Sequence, residues 1–169
     1  MKIEGYAAHF GKPNLNGEEV VRSSFDKCLE TYNALSAYPF INFDHNPTAI
    51  LGKITGMHTD EVGLYITAEI DDATAERLRV LRYINNGKVD SFSTEGYVDD
   101  VNINDDKKSY IAGDFYVTAV AVVAMPADPD AVFTKNNLRK SFIGYELPTK
   151  KGDEKENKKQ NNNQIIFLL

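Results

Sequence analysis

The sequence predicts a mainly β protein with flanking helices (α+β), built as a six- or seven-stranded β-barrel with two or three helices. Three observations carry this. Short segments in which apolar and polar residues alternate recur between turn residues. The run from Phe115 to Met125 sets Val and Ala on both faces, the pattern of a central strand buried on two sides. Only two or three stretches repeat at helical spacing, and they do not alternate with strands in the rhythm of a parallel α/β sheet.

Taken in order, residues 3–10 read as a first strand, and Gly11 to Gly17 as a turn-rich loop. Glu18 to Val21 reads as a short extended piece. Ser23 or Ser24 is placed to cap a helix reaching about Ser36, because Phe25, Cys28, Leu29, Tyr32 and Leu35 share one face. A strand follows in which Ile41, Phe43 and His45 alternate with Asn42 and Asp44, and Pro47 is expected to end its ladder. Ile50–Met57 and Gly63–Ile70 form a predicted hairpin across His58-Thr59-Asp60-Glu61. Asp71 or Asp72 caps a predicted second helix with Ala75, Leu78, Leu81 and Ile84 inward, and Gly87 suits its C-terminal end. Residues 89–98 form a strand with Ser91, Ser93 and Glu95 on one face, and Asp99–Lys108 reads as a charged loop. Pro126 to Ala131 stops the Phe115–Met125 strand and opens a last short helix reaching about Phe142.

At 169 residues, 42% hydrophobic and 26% charged, the chain suits one domain, residues 1–145, followed by a polar tail at 146–169 that is expected to be disordered. Nineteen basic against 25 acidic residues give a net charge of -6, so no nucleic-acid partner is expected. No apolar leader opens the chain and no run is long enough to span a bilayer, so a cytoplasm-like compartment and no membrane partner are expected. The single cysteine, Cys28, allows no internal disulfide and reads as packing.

The candidate chemistry rests on His45 and Ser93, a base and a nucleophile each carried on its own strand. No Gly-x-Ser-x-Gly elbow is present, which disfavours an α/β-hydrolase. His9 and His58 read as structural or solvated. Scattered histidines, paired aspartates without calcium-loop spacing and the lack of a phosphate-cradling loop predict neither metal nor cofactor.

The order of several segments adds to this. Glu4-Gly5-Tyr6-Ala7-Ala8-His9-Phe10-Gly11 opens the chain, and Asn16-Gly17-Glu18-Glu19-Val20 leads to Ser24-Phe25 and Leu29. Asn42-Phe43-Asp44-His45-Asn46-Pro47 precedes Gly52 and Gly63-Leu64-Tyr65. Asp90-Ser91-Phe92-Ser93-Thr94-Glu95-Gly96-Tyr97 is followed by Val122 to Ala131, with Pro126-Ala127-Asp128-Pro129-Asp130-Ala131 closing the set. Over about residues 4–133 this succession resembles the prohead serine proteases of tailed phages, which are relatives in fold of the herpesvirus assemblins. Ser93-Thr94-Glu95 is also similar to the Ser-x-Glu of phage protease–scaffold fusion proteins.

The resemblance implies an assemblin-like barrel and a serine endopeptidase that cleaves phage scaffold and capsid proteins, and itself, inside the immature capsid in the host cytoplasm. It also implies that Ser93 attacks while His45 relays the proton; the family's usual Ser-x-Gly after the nucleophile is Ser-x-x-Gly here, which leaves Ser91 as the alternative nucleophile. Two departures bear on the third residue. Ala119 stands where many members carry a glutamate, and Glu18 is the nearest equivalent of an aspartate that the fusion proteins draw from their first loop. Glu18 is therefore the expected third member. A homo-oligomer such as a dimer is a further expectation. The competing readings are a catalytically inactive homologue that serves as a structural or scaffolding component of the prohead, and a small β-barrel binding module without enzymology.

Overall fold

A computed structural model of the protein describes residues 1–106 and 108–136. The expected tail, the boundary near residue 145 and the far part of the expected last helix lie outside the described residues.

The chain forms β1 (Lys2–His9), β2 (Glu18–Glu19), α1 (Asp26–Leu35), β3 (Phe40–Phe43), β4 (Asn46–Thr59), β5 (Gly63–Ile70), α2 (Asp72–Arg77), α3 (Val80–Asn85), β6 (Ser91–Val98), β7 (Val101–Asn104), β8 (Ser109–Ala112), β9 (Phe115–Val123) and β10 (Phe133–Asn136). A seven-stranded sheet runs β10-β1-β5-β4-β3-β9-β6, and a three-stranded one runs β2-β8-β7. The large sheet curls into a half-barrel. Its two edges meet at the Ser91–Val132 bridge, where Phe92 N donates to Ala131 O (2.7 Å) and Phe133 N to Asp90 O (2.8 Å).

Alternation along each strand sends Ile3, Ile41, Leu51, Leu64, Ile66, Phe92, Val117, Val120 and Val122 into one core, where none is measurably exposed. Gly52 lies where β4 and β5 approach most closely, since a Cβ there would collide with the carbonyl oxygen of Glu69. Phe25, in the 3-10 turn Arg22–Phe25 that leads into α1, is fully buried between Phe10 and Phe115, with ring centroids 6.0 and 5.6 Å away. Cys28 is buried beneath α1, and burial pushes its thiol pKa up, which suits a packing residue.

Several expectations are corrected. Pro47 does not end the ladder; it lies within β4. The β3–β4 register jumps from Phe43↔Asn46 to Asn42↔Ile50, so Pro47 sits in an irregular stretch where no ladder hydrogen bond is asked of it. The single helix expected after Ile70 is two. Arg79 adopts a left-handed φ of 60° and breaks the register, so Val80 and Ile84 point inward while Leu78 is exposed. The charged loop at 99–108 holds a hairpin instead, because Val101 and Ile103 alternate with Asn102 and Asn104 and pair with β8. The helix expected after Pro126 is replaced by β10, which pairs with the edge of β1 from Gly5↔Phe133 to Lys2↔Asn136. An unpaired strand edge is a strong template, and it outweighs local helical preference.

Two measurements check this packing. Phe25→Ala removes a buried ring that touches two others, and is expected to cost about 3–5 kcal/mol in chemical denaturation. The second concerns acid stability. Asp60 sits below the ordinary aspartate range, first because Tyr6 Oη donates to it (2.7 Å), then because the amides of Val62 (2.7 Å) and Gly63 (3.1 Å) do. Its contribution is therefore complete above about pH 3.9, the unfolded value, and is lost as pH falls through the lower folded value. Tyr6→Phe should make the fall in thermal midpoint between about pH 4 and pH 2 shallower.

Candidate active site

Three adjacent strands build the site. β9 lies between β3, its parallel partner, and β6, its antiparallel one. Ile41, Phe92, Val120 and Val122 point into the core, so the alternate residues of the same strands share the opposite face. One row there is Asn42, Ala121 and Ser93; the next is Phe40, Ala119 and Glu95. The two alanines keep the middle strand low. Over them Asn42 Nδ2 donates to Glu95 Oε1 at 2.6 Å, a short bond of the kind a carboxylate acceptor makes.

His45 reaches the same carboxylate. It is not the end of an extended strand as its alternation predicted: β3 stops at Phe43, and Asp44 (φ 53°) and His45 (φ 57°) form a two-residue reversal into β4. Two successive left-handed residues are the signature of the tight hairpin turn whose twist matches the flanking strands. Asp and His tolerate that conformation better than most residues do. The reversal leaves His45 Nδ1 3.2 Å from Glu95 Oε1, both side chains about one-fifth exposed. The approach is within ion-pair distance but is not aligned as a hydrogen bond, and Nδ1 is buried without another partner among the described residues.

Ser93 is almost fully buried, on the Glu95 face of β6 and level with Asn42. No hydrogen bond joins it to His45 among the described residues. Ser91 is committed elsewhere, its hydroxyl donating to Asp90 Oδ1 (3.0 Å) at the bridge to Val132. Of the two candidate nucleophiles, Ser93 is the one that shares the Asn42–Ala121 row.

Glu18 is placed differently from the expectation. It pairs with Tyr110 in the small sheet and accepts from Asn14 Nδ2 (2.9 Å). It lines a cavity of about 670 Å³ between the two sheets, with His9, Asp128, Thr94 and Ser93 also in its wall. Among the described residues, the carboxylate within ion-pair distance of His45 is Glu95. The signal for Glu95 lay in the Ser93-Thr94-Glu95 spacing, which sets both side chains on one strand face. His9 is tied down, its Nδ1 2.7 Å from Asp128 Oδ2 and its amide donating to the same oxygen at 2.8 Å. His58 packs tilted against Tyr65. No group of His, Cys, Asp and Glu among the described residues is arranged to hold a metal ion.

The sequence model of the caudovirus prohead serine proteases matches residues 1–160. The chain belongs to that family. A prohead protease of Escherichia phage T5 is 30% identical over 149 residues, covering 86% of this chain, which spans 66% of that relative's length. The bacteriophage T4 capsid assembly protease superposes with a TM-score of 0.59 at 16% identity, over 72% of this chain and 80% of that one. A Kaposi's sarcoma herpesvirus protease, solved with a hexapeptide phosphonate inhibitor, gives 0.51 at 14% identity over 80% of this chain and 65% of its own. These two likenesses show the fold, the curled assemblin-like sheet that the sequence predicted.

The hairpin that delivers His45 is open to a direct check. Asp44→Val forces a β-branched residue into the left-handed region and is expected to lower unfolding free energy by about 1–2 kcal/mol in denaturant titration. Asp44→Gly should show no such loss.

Proposed function

We propose that this member of the prohead protease family is a serine endopeptidase with Ser93 as nucleophile, His45 as general base and Glu95 as the carboxylate that orients His45. The observation that carries the reading is the convergence of His45 Nδ1 and Asn42 on one Glu95 oxygen, on the face of β6 that also bears Ser93. An imidazole whose Nδ1 is turned to a carboxylate has Nε2 left for a hydroxyl. Ser93 Oγ attacks the scissile carbonyl carbon while Nε2 takes its proton. The tetrahedral intermediate then collapses and the leaving amine receives that proton. Water repeats the sequence on the acyl-enzyme. Glu95 holds the tautomer with hydrogen on Nδ1 and stabilises the imidazolium that forms. Backbone amides supply the donors for the developing oxyanion.

The substrates that fit this family membership are the phage's own scaffold and capsid proteins, cut in the immature capsid within the host cytoplasm, and a second copy of the chain. Glu18, held by Asn14 on the cavity wall, takes no part in the proton relay.

A fluorophosphonate probe tests the assignment, because it phosphonylates only an activated serine. Intact mass and peptide mapping are expected to show one adduct, on Ser93. Ser93→Ala and His45→Ala should abolish it, Ser91→Ala and Glu18→Gln should leave it, and Glu95→Gln should slow it by about 100-fold or more. Concentrated wild-type protein should also lose mass from its C-terminal end over hours while Ser93→Ala does not. Labelling of Ser91 would move the nucleophile, and absence of any adduct would favour an inactive structural homologue.

A further inference from the structure

We infer that Asn42 is a positioning residue that acts on the chemistry through Glu95; this rests on the peptidase reading above. Asn42 lies on β3, away from any solvent, in a sheet where an apolar residue would be the easier occupant. Its amide nitrogen donates to Glu95 Oε1 at 2.6 Å, and that same oxygen is the one 3.2 Å from His45 Nδ1. The amide thereby fixes which carboxylate oxygen faces the imidazole, and how far it stands from it.

Glutamate has three side-chain torsions and here spans a whole strand to reach its partner. Without a clamp those torsions let it turn to solvent, because its side chain is about one-fifth exposed. A neutral donor suits the task. A lysine or arginine at position 42 would neutralise the carboxylate that must face the imidazolium, whereas an amide orients the carboxylate and leaves its charge in place.

The other end of Asn42 argues for a functional reason. Its Oδ1 is buried with no hydrogen-bond partner among the described residues. A buried carbonyl left unpaired is a liability that a purely structural residue would shed, since replacing the amide with a hydrocarbon of similar size removes it. The side chain is retained at a net cost to packing, and the group that gains is Glu95. His45 Nδ1 is likewise buried and, among the described residues, without a hydrogen-bond partner in the same place. A small rotation of the ring toward Oε1 would pair it, provided Oε1 stays where Asn42 holds it.

The test is a double-mutant cycle read by the rate of fluorophosphonate labelling of Ser93, separated into its maximal rate and its half-saturating concentration. Asn42→Val is expected to lower the maximal rate about 10- to 100-fold with little change in half-saturation, as misplacement of a catalytic group does. Its thermal midpoint should not fall. Glu95→Ala should lower the maximal rate by at least as much. In the Glu95→Ala background, Asn42→Val should then change the rate by less than about threefold, because the residue it acts through is gone. Asn42→Ala carries the same cycle if valine does not fit. Independent, multiplying effects of the two substitutions would overturn the inference, as would full-rate labelling of Asn42→Val. Wild-type protein that takes no label on Ser93 would instead defeat the peptidase assignment itself, so the two failures are distinct.

Discussion

The site depends on a carboxylate that must be paired where it stands. Glu95 is mostly buried on a sheet face, and an ionised group there is costly unless donors meet it. Asn42 and His45 meet it, and they can do so only because β9 runs low between them. That requirement constrains β9 on both faces at once. Val120 and Val122 fill the barrel core, while Ala119 and Ala121 on the other face leave the clearance that lets a glutamate and an asparagine touch across a whole strand. A larger residue at either alanine would stand between the partners. Ala119, the position at which the resemblance would place a glutamate, is the cross-strand neighbour of Glu95, so the acid stands one strand over from where that pattern puts it.

Topology makes this convergence nonlocal. β3 and β9 are parallel, so the chain must leave and return by a long path before they can pair, and β6 is laid against β9 from the other side. Residues 42–45, 93–95 and 119–121 become neighbours only after the whole sheet has closed. The site is thus no more stable than the barrel around it. It also holds the unresolved tension of that barrel: the two buried side-chain atoms without partners among the described residues, Asn42 Oδ1 and His45 Nδ1, both belong to it. Unpaired polar groups and left-handed backbone at Asp44 and His45 in one small region are the marks of a place where packing is subordinate to chemistry.

This explains which parts were legible in the sequence. Strands were readable from their burial pattern: β1, β5 and β6 from alternation and β9 from its two apolar faces lie within a residue or two of expectation, because burial dictates a pattern that local sequence must obey. His45 stands beside Glu95, but not by the route that alternation predicted. Alternation carried it along an extended strand, but Asp-His lacks the Asn-Gly pattern that announces a two-residue reversal, so the turn was invisible. The break at Arg79 and the strand at Phe133 were missed because each is settled by a distant surface, the core beneath Val80 and the open edge of β1. Glu95 was visible on the serine face. That it, and not Glu18, stands at His45 follows from strand order, which no single sequence displays.

The placement of β6 completes the logic. Ser93 and Glu95 face the alanine floor, and Phe92, Ser93 and Thr94 border the cavity between the sheets, where Glu18 is held by Asn14. Glu95 is not part of that wall, and the small sheet that anchors Glu18 keeps it on the cavity side. Among the described residues β6 is also the last strand of the large sheet, bridged at Ser91 to Val132 just before β10. Soluble proteins usually cover or blunt such an edge, because it invites another chain to pair. Here that edge is closed at Ser91 against Val132, the strand packs beside β1, and Ser91, Phe92 and Ser93 are all buried. In the proposed reading the nucleophile therefore stands two residues from the bridge that closes the barrel, so the closure that stabilises the sheet also fixes Ser93 in place.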